Sequence, residues 1–184
     1  MKGINKVACI VAKILEVFHW VAVGLMLAAT VCSQVAPQHI DKFVGIDAKE
    51  CCGAELAVYG FEIRAAVTDG AVDMKTFCVF GIGAVIILAL MAMVFRNMYL
   101  IFKKSETETP FNKDNIRMLR EIGIFSIAVP VVGLVMSVVE RIAIGTAAEI
   151  SVSQSGVFMG IIVLGLTQYF IYGSGLEKDV DGLV

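Results

Sequence analysis

The chain has 184 residues, 58% of them hydrophobic and 17% charged, with a formal net charge of -2. A soluble domain of this length is typically about half apolar and a quarter charged, so the balance excludes an ordinary water-soluble core, and so small a charge gives no basis for direct nucleic-acid binding. The apolar residues stand in long blocks with the charges confined between them, which is the pattern of a membrane protein.

The first block covers residues 7–36 and its cleanest part 17–36, about the 20 residues a helix needs to cross hydrocarbon. Lys2, Lys6 and Lys13 precede it. A signal peptide shares the basic start and the apolar run, but this run is long, and Lys13 and Glu16 interrupt its early part. A retained membrane helix over 14–36 is therefore expected. Residues 37–76 form a polar loop carrying Asp41, Asp47, Glu50, Glu55, Glu62, Asp69 and Asp73. Within it, Val58, Tyr59, Phe61, Ile63 and Val67 favour strand and Thr68-Asp69-Gly70 signals a turn. The expectation is one strand over 56–67 paired antiparallel with 71 onward, turning at Asp69-Gly70. An isolated hairpin is marginal, so this one should lean on the membrane body.

The second span is expected over 77–102, ending in Arg96, Asn97, Lys103 and Lys104. The third covers 122–141. Pro130 within it predicts a kink, and Glu140-Arg141 reads as an interfacial pair at its far end. The fourth, over 151–173, reaches spanning length by including Ser and Gln near its start, and a tail follows over 174–184. The predicted fold is thus a single all-α membrane domain of four transmembrane helices, with a small extracytoplasmic β-hairpin loop and a cytoplasmic amphipathic helix in the inner loop 103–121. Lys2, Lys6 and Lys13 lie before the first span, and Arg96, Lys103, Lys104, Lys113, Arg117 and Arg120 between the second and third. Loop 37–76 has only Lys42, Lys49, Arg64 and Lys75 and is net acidic. The positive-inside rule then places both termini in the cytoplasm and the hairpin outside.

The inner loop carries the most information. Thr109 reads as an N-cap with Pro110 at the first helical position. Ile116, Leu119 and Ile122/Gly123 then share one face, and Lys113, Arg117 and Arg120 another. Such a basic amphipathic helix either anchors the topology and hands the chain into the third span, or docks a soluble partner or anionic lipid.

Phe95-Arg96-Asn97, Thr109-Pro110-Phe111 with Asn115, Arg117-Met118-Leu119-Arg120, Ile122-Gly123 and the tail from Tyr172-Gly173-Ser174-Gly175 to Val180-Asp181-Gly182-Leu183 are similar to motifs of the YoaS-like bacterial membrane proteins, a family known only as a domain of unknown function. The resemblance covers the second half; the first half matches in layout alone. It implies four helices in a bacterial cytoplasmic membrane and frequent genetic pairing with a small helix-turn-helix regulator. It implies no catalytic residue.

Of five cysteines, Cys32 and Cys78 bracket the outer loop and Cys51 and Cys52 lie within it. On an outward face these four are candidates for disulfides, with free thiols as the alternative. Thiol-redox catalysis is the weaker reading, because no Cys-x-x-Cys is present. Lys13, Glu16, His19 and Trp20 share a helical sector near the inner end of the first span, where long side chains snorkel and Trp anchors. Glu16 and Arg96 should lie at similar depth on antiparallel neighbours and are a candidate ion pair, with Lys13 competing for Glu16 from three residues away. Gly156-x-x-x-Gly160, Gly24-x-x-x-Ala28 and Gly133-x-x-x-Ser137 suit close helix packing. No metal spacing, phosphate loop or nucleophile–base pair is present, and no cofactor is expected. The leading expectation is a regulatory or interaction protein of the lipid bilayer acting with a cytoplasmic or membrane partner. The alternative is a small transporter or permeation subunit.

Overall fold

The computed structural model describes residues 2–35, 54–65, 67–68, 71–72, 74–105, 109–144 and 154–181. Four helices dominate: α1 (Lys2–Val35), α2 (Met74–Lys104), α3 (Lys113–Ile144) and α4 (Gln154–Asp181). Each is long and apolar enough to cross a membrane, so the chain has the architecture of a multi-pass membrane protein. At 1.5 Å per residue the shortest is roughly 42 Å, well beyond the ~30 Å of hydrocarbon. All four run past the apolar blocks that define them. α1 begins at Lys2, a dozen residues before the expected span. α4 runs on through Asp181, into the stretch expected to be a tail. The basic inner segment is likewise no separate helix but the first turns of α3. Nothing breaks the hydrogen-bond ladder between Lys113 and the apolar run, so the segment continues into the span. α3 also continues through Pro130, whose missing N–H leaves only the Ser126 carbonyl without its helical donor.

Burial follows the logic of a lipid solvent. Ala12, Glu16, His19 and Val23, at i, i+4, i+7 and i+11, form the buried stripe of α1, while Val7, Ile10, Ile14, Val17, Phe18 and Val21 are exposed. α4 exposes Phe158, Ile161, Leu166, Tyr169 and Tyr172. Apolar surface on this scale is foreign to soluble monomers. Hydroxyls along the helices bond back to the preceding turn: Thr30 to Met26 O (2.8 Å), Ser126 to Ile122 O (2.8 Å), Ser137 to Gly133 O (3.0 Å) and Thr167 to Val163 O (2.8 Å). None of them is left to seek water.

The chain divides into two compact units. The first comprises Met1–His19, Leu90–Ala128 and Gln154–Val184; the second comprises Trp20–Ala89 and Val129–Ser153. The second unit contains the strands. β1 (Ala54–Val58) pairs antiparallel with β2 (Phe61–Ala65), with Val58 opposite Phe61, and β3 (Val67–Thr68) pairs with β4 (Ala71–Val72). The single long strand expected over 56–67 is therefore corrected to two hairpins. The break is at Tyr59-Gly60, where both residues take positive φ (48° and 80°), the geometry of a two-residue type I′ turn. Glycine adopts it freely and Tyr59 accepts it with strain. The Thr68↔Ala71 pairing does bracket Asp69-Gly70 as expected.

Phe61 and Ile63, each 1% exposed, anchor the first hairpin. The Phe61 ring stacks on Phe80 at 5.7 Å with 12° between planes. A Cβ on Gly83 would lie 2.6 Å from Phe61 Cε1, and one on Gly133 would lie 3.5 Å from Phe61 Cβ. The hairpin thus does more than lean on the helices. Its Phe61 ring fills the space over Gly83 of α2, and the Phe61 Cβ faces Gly133 of α3. Gly133, expected to serve helix packing, receives the hairpin instead, and Gly24 has nothing within 4 Å. On the α1 side, Gly81 admits Thr30, and Gln34 Nε2 donates to Cys78 Sγ at 2.7 Å.

Candidate functional site

The site is the end of the first unit where α3 begins. The chain enters it through a turn over 109–112, in which Asn112 N–H donates to Thr109 O at 3.3 Å. Asn112 Oδ1 accepts from Asp114 N–H at 3.1 Å, and its carbonyl accepts from Ile116 N–H at 3.1 Å. Asn112 is therefore the N-cap, and the expected cap at Thr109 is corrected. Pro110 belongs to the preceding turn, and the Thr109 carbonyl serves instead as acceptor for Asn115 Nδ2 at 3.5 Å. Asn115 is 3% exposed, and its Oδ1 has no partner among the described residues.

From this start Ile116, Met118 and Ile122 are buried, whereas Lys113, Arg117 and Arg120 are exposed. The expected division of faces holds for Ile116 and Ile122, with Met118 joining them and Leu119 half-buried. The cations differ in their partners. Arg117 Nε pairs with Glu121 Oε1 at 2.9 Å, and Glu121 Oε2 also accepts from Asn97 Nδ2 at 3.0 Å. Lys104 pairs with Asp114 at 2.6 Å. Among the described residues neither Lys113 nor Arg120 has a carboxylate partner. These two line an open groove of about 320 Å³ with Ile116 and with Ile171, Ser174 and Gly175 of α4. Ile171 fell within the expected fourth span and Ser174 and Gly175 within the expected tail, and nothing local marks any of them as facing α3. The Arg117–Glu121 spacing of i, i+4 was readable.

Close helix contact builds this end. A Cβ on Gly123 would lie 2.7 Å from Leu164 Cγ, and one on Gly160 would lie 2.9 Å from Gly123 O and collide with Ile127. Gly160 of the expected small-residue motif thus packs within the chain, against Gly123. Phe111 packs on Phe170 with ring centroids 5.6 Å apart, and the space beside Gly173 is filled by Phe111 Cε1, 2.6 Å from where a Cβ would stand. Asn5 Nδ2 ties α1 to the end of α2, donating to Phe102 O (3.1 Å) and Ser105 Oγ (2.9 Å).

The expected ion pair between Glu16 and Arg96 is not among the ion pairs of the described residues. Glu16 Oε2 accepts from Lys13 Nζ at 2.9 Å, and Arg96 is exposed. The competitor one turn away on the same helix holds Glu16 without requiring any register between helices. Lys13 also sits 4.9 Å from the centre of the Tyr99 ring, which Lys103 approaches at 5.8 Å. The sector of Lys13, Glu16, His19 and Trp20 is split by the structure. Lys13 and Trp20 lie on the rim, while Glu16 and His19 are 8% and 3% exposed. His19 Nδ1 lies 2.7 Å from Leu15 O. A carbonyl only accepts, so this nitrogen carries the proton. Phe95 lies 4.9 Å from the His19 ring.

Cys32 and Cys78 are free thiols, as is Cys9, and Cys51 and Cys52 lie outside the described residues. Among the described residues no group of His, Cys, Asp or Glu could hold a metal ion. Glu140, read from sequence as half of an interfacial pair, is 2% exposed while Arg141 is exposed. Glu140 Oε2 has no hydrogen-bond partner among the described residues. Gly133, Ser137 and Glu140 fall at i, i+4 and i+7, so the carboxylate continues the inward face of α3. Comparison with protein-family models, with curated proteins and with solved structures returns no match.

Proposed function

We propose that this chain is an interaction protein of a bacterial cytoplasmic membrane, with both termini inside, that engages a partner through its basic inner end. The observation that carries the reading is the pair Lys113 and Arg120, exposed on a groove with no carboxylate partner among the described residues, while their neighbours Arg117 and Lys104 are neutralised. Cations left unneutralised on a concave surface favour an anionic partner and raise its rate of encounter. The clustering of lysine and arginine at this end also supports the cytoplasmic placement. The resemblance of the second half to YoaS-like proteins points the same way, since pairing with a regulator suits a membrane protein that binds rather than converts.

The test is photocrosslinking in native membranes from a probe at Arg117, beside the groove. Discrete adducts that disappear with Lys113→Glu and Arg120→Glu support the reading. An adduct pattern unchanged by those substitutions overturns it. The transporter reading has one observation in its favour, the buried Glu140, because an ionisable group inside a span marks a functional site by default. Flux assays in proteoliposomes with Glu140→Gln test that reading.

A further inference from the structure

We propose that the groove between the first turns of α3 and the last turns of α4 is a binding site for the phosphate headgroup of an anionic glycerophospholipid. A lipid here requires the interfacial placement proposed above for the basic end. Two cations of one helix face, Lys113 and Arg120, stand seven residues apart at its rim without carboxylate partners among the described residues. The Ser174 hydroxyl adds a donor, and nothing lies within 4 Å of a Cβ built on Gly175, so the backbone there is open to approach. Ile116 and Ile171 supply an apolar lining beside these polar groups.

That combination matches one molecule with a phosphate at one end and hydrocarbon at the other better than it matches an acidic peptide, which would leave the isoleucines unused. The flanking surface agrees. Tyr169 and Tyr172, 74% and 70% exposed, bracket Ile171 on α4, and exposed tyrosines are the residues that settle at headgroup level. Toward the other side of that level, Leu166, Ile162 and Phe158 continue the exposed apolar face on which acyl chains would lie. Of the nearby acids, Glu121 is held by Arg117, Asp114 by Lys104, and Glu177 and Asp179 do not line the groove.

The experiment is native mass spectrometry of the detergent-solubilised full chain doped with phosphatidylglycerol or phosphatidylcholine. Retention of phosphatidylglycerol in preference to phosphatidylcholine is expected. Lys113→Ala with Arg120→Ala should reduce it about thirtyfold, the loss expected of two such cations at a membrane surface. Ser174→Phe, which fills the groove without changing charge, should reduce it as well. Arg117→Ala should not, because that cation is already neutralised and lies outside the groove. Lys113→Arg with Arg120→Lys should retain the lipid and guards against loss through misfolding. Equal retention of the two lipids, retention surviving the double alanine variant, or loss caused as strongly by Arg117→Ala overturns the site. Displacement by millimolar inorganic phosphate overturns the assignment to lipid. The readout depends on neither orientation nor a protein partner, so its failure is separable from failure of the crosslinking test.

Discussion

Phe61→Ala should release the first hairpin from the helices. Phe61 is 1% exposed; its ring stacks on Phe80 and fills the space over Gly83, while its Cβ faces Gly133. A buried aromatic of about 150–250 Å² at about 25 cal/mol per Å² contributes roughly 4–6 kcal/mol, and Phe→Ala in packed cores costs about 3–5 kcal/mol. The wall at Gly83 has no side chain to relax inward, so that side of the cavity is not refilled. At about 3 kcal/mol the opening equilibrium of the hairpin shifts more than a hundredfold. Strands β1 and β2 form a local unit, so the loss should appear first as faster amide exchange across Ala54–Val58 and Phe61–Ala65 and only later in the global melt. Glu62→Ala, at an exposed neighbour on the same strand, should change exchange little. Gly83→Leu combined with Phe61→Ala returns a side chain from the opposite wall and should recover part of the protection. Exchange in Phe61→Ala no faster than in Glu62→Ala would refute the wedge.

Three further outcomes are expected. In a background without native cysteines, Asp69→Cys should react with an impermeant thiol reagent on intact cells while Gly3→Cys and Asp179→Cys do not; labelling at either terminus would reverse the proposed orientation. Gly160→Val should destabilise the detergent-solubilised protein by at least ~1–3 kcal/mol, the range for overpacking, because its Cβ would meet the Gly123 carbonyl at 2.9 Å, a backbone atom that cannot swing away; an unchanged melt would remove the close contact. Glu140→Gln keeps the volume and removes the charge, so the melt should stay level or rise, since no described cation is lost as a partner; a fall of more than about 1 kcal/mol would reveal a charged partner for Glu140.

The four long helices were legible because hydrocarbon thickness imposes a minimum apolar length, and blocks such as 77–102 exceed it. Their ends were not, because polar residues such as Lys2 and Glu177 continue a helix as readily as they end one. The pairing of Thr68 with Ala71 was readable from the turn-forming residues between them in the sequence, whereas the turn at Tyr59-Gly60 was hidden by a tyrosine that favours strand yet occupies a left-handed position. The cap at Asn112 was missed because Thr109-Pro110 offers a more familiar signal three residues earlier. Of the site, Lys113 and Arg120 were read from their spacing. The α4 wall depends on which turn of one helix meets which turn of another, a register set by Gly123 against Gly160 and by Phe111 against Gly173.

The burial pattern explains why the remaining polar residues were harder to place than the apolar ones. In water a helix hides its apolar stripe, and a sequence reader assigns the polar face to solvent. Here α1 hides Glu16 and His19 and exposes valines, isoleucines and leucines on its other sides. Each hidden polar group then needs a partner supplied by the protein, because hydrocarbon supplies none. Glu16 takes Lys13, and His19 takes the Leu15 carbonyl; both are partners from the same helix, within four residues. Local partners form as soon as the helix does and require no particular neighbour, which is why Lys13 prevails over Arg96. At the basic end of α3 the same rule neutralises Arg117 through Glu121 four residues on. Lys113 and Arg120 have no carboxylate in the matching position: four residues beyond them stand Arg117 and Ile124, and three beyond stand Ile116 and Gly123. Helix-local pairing, which holds Glu16 and Arg117, is closed to these two by the sequence itself, and it is this unpaired charge on the groove that the proposed anionic ligand would meet.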